Sequence, residues 1–120
     1  MNDLLEVAVG ATTWTAVTAS SNYFSRKAIA LEAATTASTE VLCFELDGNE
    51  DVEAESANNS NADHNGDRML ATDTNTVNNT GTDNTSQNVV FIQDKVVGAA
   101  ADKRIVGRVL VGNGVDPDAA

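Results

Sequence analysis

The sequence predicts an all-β fold, a small antiparallel β-sandwich or barrel, and three observations carry that prediction. Residues 26 to 47 hold the densest apolar alternation in the chain: Ile29, Leu31 and Ala33 recur at every second position, and so do Leu42, Phe44 and Leu46. A period of two gives each of two strands one apolar face. Val89-Val90-Phe91-Ile92 and Arg104 to Val111 are rich in β-branched residues, and Asn113-Gly114 supplies a turn after the second. Hydrophobic content is 42% but aromatics make up only 4%. Such a core is thin, which suits two packed layers better than a thick helical body. The 120 residues form one β domain, 1–120, long enough to bury a modest core without disulfide or metal.

Taken in order, Asp3 to Thr18 reads as two short strands separated by Gly10, with Leu5, Val7 and Val9 on one face of the first. No helix cap is visible, and a helix over Leu4 to Val9 would be too short to stand alone. Ala19 to Ser25 is a turn-rich link. Tyr23 and Phe24 are neighbours there, so in extended backbone one enters the core while the other faces a partner, or both cover the end of the sandwich. The central pair of strands follows, reversing through the small residues Ala34 to Ser38. Residues 48–86 are different. They are rich in Asn, Thr and Asp, and their large apolar residues are only Val52, Met69, Leu70 and Val77. That composition reads as a polar loop excursion, with a short strand at Arg68 to Ala71. A polar stretch of this length with no core of its own holds a shape only against a neighbour, which points to an assembly. Val89 to Ile92 is a strand buried on both faces. In the last strand Ile105, Val109 and Val111 share one face, and Gly107 marks a bulge or a close backbone approach. Asp116 to Ala120 is a polar tail.

The net charge of −11, from eighteen acids against seven bases, excludes the basic footprint that phosphate binding requires, so no nucleic-acid partner is expected. It keeps a protein soluble and suits a salty habitat where self-repulsion is screened. No apolar run approaches the roughly 20 residues of a membrane span, and the first residues lack the basic and apolar regions of a signal peptide. No membrane partner is expected either.

Catalytic chemistry finds little to work with, and no catalytic residue and no cofactor are expected. His64 is the only histidine and Cys43 the only cysteine. His64 lies in the Asn-rich stretch, far in sequence from Cys43, which reads as a small buried hydrophobe. Two such residues do not make a zinc site. Asp63-His64-Asn65-Gly66-Asp67 alternates oxygen side chains as a calcium loop does. Counted from Asp63, however, the sixth position is Arg68 instead of glycine and the twelfth is Thr74 instead of glutamate. No metal is assigned. Arg26-Lys27 and Lys103-Arg104 with Arg108 are the basic clusters of an acidic chain. They are where an acidic partner would dock, or they balance nearby acids on strand edges. With Trp14, Tyr23 and Phe24, the residues Arg26, Lys27, Arg104 and Arg108 form the candidate interface.

Two stretches carry a resemblance. Ala11 to Leu46 runs from a Thr/Ala-rich strand through a turn to Arg26-Lys27, an alternating strand, a Ser/Thr-rich turn and a second strand. Gly98-Ala-Ala-Ala-Asp-Lys-Arg-Ile-Val-Gly-Arg-Val-Leu110 is an Ala-rich segment before a closing strand. Over about half the chain by these strand signals, this resembles the small head and capsid decoration proteins of tailed phages. The resemblance implies a cement protein on the outer surface of a virion. It would bind the major capsid protein, as a homotrimer at lattice junctions, and would not be an enzyme. An N-terminal strand could act there as an arm that adds to a neighbour. Two other readings stay open: an extracellular β-sandwich binding module of a salt-adapted microbe, with calcium in the loops of 48–86, and an accessory subunit of an enzyme.

Overall fold

A computed structural model describes residues 3–8, 11–33, 40–80 and 86–113. The expected reversal at Ala34 to Ser38, the position of Val9 and the tail from Asp116 lie outside the described residues. Among the described residues nine strands make two sheets: β1 Leu4–Val7, β2 Thr15–Ala16, β3 Arg26–Ala30, β4 Cys43–Glu45, β5 Val52–Ser56, β6 Arg68–Leu70, β7 Thr76–Val77, β8 Val89–Val97 and β9 Arg104–Val109. The all-β expectation holds.

The first sheet is four-stranded, in the order β2-β1-β3-β4, and antiparallel throughout. The second is five-stranded, in the order β6-β8-β9-β5-β7. It is antiparallel except for the parallel pair β5–β7. Its two outer strands meet. Ala71, just past β6, bridges to Val77 of β7, and Asn78 N donates to Leu70 O at 2.9 Å. The second sheet therefore nearly closes into a small barrel. Small inward residues permit this: Ala54, Ala71, Val52 and Val77 are all buried, and Phe91 is the one buried aromatic among the barrel strands.

Gly107 shows why closure demands a glycine. A Cβ there would stand 1.9 Å from Ile92 O and 2.7 Å from the tip of the Phe91 ring. The close approach expected at Gly107 is present. The bulge lies opposite, on β8, where pairing steps from Gln93↔Gly107 to Lys95↔Val106 and leaves Asp94 as the extra residue.

The stretch 48–86 is not a loop excursion. It contributes β5, β6 and β7, three of the five barrel strands. Along β5 the side chains alternate buried and exposed, with Val52, Ala54 and Ser56 inward and Glu53 and Glu55 outward. Buried polar side chains complete it by bonding main chain. Asn79 accepts from Asn58 N (2.9 Å) and donates to Asn58 O (3.2 Å) and Asn59 O (3.1 Å). The order of its described part, 48–80, comes from the fold itself, so that part no longer argues for a neighbour.

The core runs between the two sheets. Leu4, Val17 and Leu46 join Val52, Ala54, Met69, Ala71, Val77, Val90, Phe91, Ile105 and Val109 in one cluster, with Ile29, Val96 and Val111 packed against it. On β1 Leu4, Glu6 and Val7 are buried while Leu5 is only half-buried, so of the two residues expected to share a face Val7 is enclosed and Leu5 is not. β1 also lies between β2 and β3. It is an interior strand and not an arm free to leave.

Candidate interaction surface

The residues singled out from sequence separate into two groups. Lys27 and Phe24 are inside the molecule, 0% and 7% exposed, and neither offers a surface to a partner. Phe24 packs edge-on against Tyr23, ring centroids 5.3 Å apart, and Tyr23 is the exposed member. Lys27 points to the seam between the sheets. Its Nζ donates to Asn22 O (2.6 Å), Ser25 O (3.1 Å) and, across the seam, Leu110 O (3.1 Å). Beside it, the buried Glu6 accepts from Ser25 Oγ at 3.0 Å and from Ser21 Oγ. Burial pushes the Lys27 ammonium down to about 8, and the negative charge of Glu6 offsets part of that fall. Lys27 is thus a clasp with three carbonyl acceptors. Gly112 N donating to Ser25 O (3.1 Å) and Leu4 N to Thr74 O (2.8 Å) tie the same two layers.

The three arginines of the candidate interface are on the surface and each has an acid of its own. Arg26 grips Glu45 with two bonds, of 3.0 and 2.7 Å, and its guanidinium sits 5.3 Å from the centre of the Trp14 ring. Arg104 grips Glu53 at 2.6 and 3.2 Å. Arg108 meets Asp94 at 3.4 Å. The hydrogen bonds from the arginines hold Glu45 and Glu53 below the usual carboxylate range and raise Arg26 and Arg104 above theirs. Of the two readings of these clusters, the geometry is that of bases balancing neighbouring acids.

Cys43 is on β4 of the first sheet, whereas His64 ends a short 3-10 turn, Ala62–His64, outside both sheets. His64 follows the turn at Asn61 and pairs through Nδ1 with Asp67 Oδ2 at 2.9 Å. The loop around it is fastened to β8 by the buried Gln93, whose Nε2 donates to Asn61 O and Asn65 Oδ1, both at 2.9 Å. Gln93 Oε1 is a buried oxygen without a partner among the described residues. Among those residues, no three His, Cys, Asp or Glu side chains come together to hold a metal, and no helix is long and apolar enough to cross a membrane. Cys43 is half-buried, more open than the enclosed hydrophobe expected.

The surface feature that sequence reasoning missed is apolar. Leu31, Leu42 and Phe44 are 52%, 62% and 53% exposed. Alternation assigned them to the core face, and they do share the face of Ile29, which is opposite Phe44 in the β3–β4 pairing. Leu31 N donates to Leu42 O at 2.8 Å, so this second pair is adjacent. Ile29 reaches the core. The strand pair then runs on past its covering layer, and the same face emerges into solvent. Among the described residues β4 is also the last strand of its sheet, so its outer main-chain edge is unpaired there and runs beside the patch. Compared with protein-family models, curated proteins and solved structures, the chain matches none.

Proposed function

We propose that this protein is a structural component of an assembly, a decoration or cement protein on the outer surface of a viral capsid. The observation that carries this reading is the division of the molecule into a barrel that nearly closes on itself and a sheet that stays open. The open sheet ends in β4 and presents Leu31, Leu42 and Phe44 to solvent. Grouped apolar side chains beside a free strand edge are a docking feature. The acidic, internally ion-paired remainder suits a solvent-facing shell. Many copies making weak contacts would stabilise a lattice by multivalency.

The test is co-sedimentation of the purified protein with undecorated capsids of its own virus, followed by heating. Saturable binding with a raised disruption temperature is expected. Absence of binding at every ratio and salt concentration overturns the reading.

A further inference from the structure

We infer that the exposed edge of β4 pairs with β4 of a second copy of this chain, antiparallel about a two-fold axis at Cys43. The phase of the strand permits it. Leu31 N bonds Leu42 O and Leu46 N bonds Lys27 O, while Phe44 stands opposite Ile29. The even-numbered residues therefore direct their main-chain groups to β3, and Val41, Cys43 and Glu45 direct theirs outward. Outward groups at alternate positions are self-complementary: Cys43 meets Cys43 of the copy, and Val41 meets Glu45. Leu42 then falls opposite Phe44 of the other chain in both halves, in the closer-packed type of pair. Leu42, just before β4, and Phe44 on it then cover each other across the axis.

Charge permits a second copy at this place. The chain carries −11, yet residues 26–46 hold Arg26 and Lys27 against Glu32, Glu40 and Glu45, a net −1. Two copies meet little repulsion where these hairpins face one another. Of the three acids, Glu45 and Glu32 are already tied inside one chain, and Glu40 is exposed. Glu45 is held by Arg26, and Glu32 accepts from Leu42 N at 2.8 Å. Pairing buries no orphan charge there. The other end of the sheet, β2, has two exposed residues, Thr15 and Ala16, and no large apolar side chain.

Stable interfaces bury about 800 Å² per partner, more than this edge provides, so the pair is weak and reversible. Salt strengthens it by screening the remaining repulsion, because the Debye length falls from about 10 Å at 0.1 M to about 3 Å at 1 M. A two-fold contact of one patch with itself gives a dimer, in place of the trimer that the family resemblance implies. The inference does not rest on the capsid reading, since it concerns the isolated chain.

Sedimentation of the purified protein over a wide concentration range, at about 0.05 M and about 1 M NaCl, tests it. A monomer–dimer equilibrium is expected, tightening at least about tenfold with salt. Phe44→Asp and Leu42→Asp, both at exposed positions, are expected to remain monomeric with unchanged thermal melts. Mild oxidation should link wild-type dimers through Cys43, since facing Cα atoms about 5.5 Å apart suit a disulfide. Wild type that stays monomeric in every condition overturns the pairing, as does Phe44→Asp protein that dimerises normally. Dimers that never cross-link through Cys43 overturn the register.

Discussion

The two sheets of this molecule treat their edges in opposite ways. The five-stranded sheet joins its outer strands through Ala71 and Val77 and leaves little main chain to offer. Among the described residues the four-stranded sheet ends openly at β2 and β4. An unpaired strand is a template for association, and proteins blunt such edges unless they use them. β2 is blunted by being short and bearing no large apolar side chain. β4 carries Phe44, with Leu42 just before it, both largely in solvent. The barrel is the frame, and the open sheet is the part that meets something else.

The largest effect should follow an attack on the frame. Gly107→Ala puts a methyl group 1.9 Å from Ile92 O, where the barrel backbone cannot yield. A loss of about 5 kcal/mol or more, seen as a collapse in chemical denaturation, is expected. If the variant keeps near-normal stability, the barrel is not the rigid half.

The second break is at the seam. Lys27→Met leaves Glu6 buried with less compensation and removes the donor to three carbonyls, costing about 3 kcal/mol. Hydrogen exchange should quicken in β1 to β4 more than in β8 and β9. Equal acceleration would mean that the two sheets open as one unit. Titration sharpens the same test. The ammonium is held near 8 in the folded chain and has an ordinary value of about 10.4 when unfolded. Between those values the unfolded chain binds more protons, so the stability contributed at Lys27 rises with pH and is flat below the window. Wild type should gain about 2 kcal/mol on Lys27→Met between about pH 8 and pH 10. A constant difference across that range would place the lysine outside a desolvated site.

Smaller effects complete the series. Asn79→Ala removes three bonds to main chain and should lower stability by about 1–3 kcal/mol, measured by thermal melting. Phe44→Asp should change it by less than about 0.5 kcal/mol, although it abolishes pairing between copies. An open edge whose alteration unfolds the protein would erase the distinction between frame and docking surface.

Much of this fold was legible in the chain. The alternation at Ile29, Leu42, Phe44 and Leu46, the apolar run at Val89 to Ile92 and the β-branched stretch after Arg104 all mark strands. β5 was hidden because its inward residues are Val52, Ala54 and Ser56, and two of those three small side chains give a weak apolar signal. β7 has two residues, too few for a period. Asn79 and Ser60 are buried, yet by type they read as loop, because only the fold supplies their hydrogen-bond partners. The candidate surface was harder to read. Alternation shows which residues share a face, but it does not show where the covering layer stops. Leu31 and Phe44 therefore read as core. Lys27 read as surface because its three acceptors lie in a turn and in the strand end beyond β9.

The sealed position of Lys27 has a use as a clock. Lys95 is exposed and Lys103 is half-buried, so an amine-acylating reagent should modify these two early. Lys27 reacts only when the layers part and its nitrogen gives up a proton. Mass spectrometry of the acylated chain would then record that late increment as a direct count of opening events, without any engineered probe.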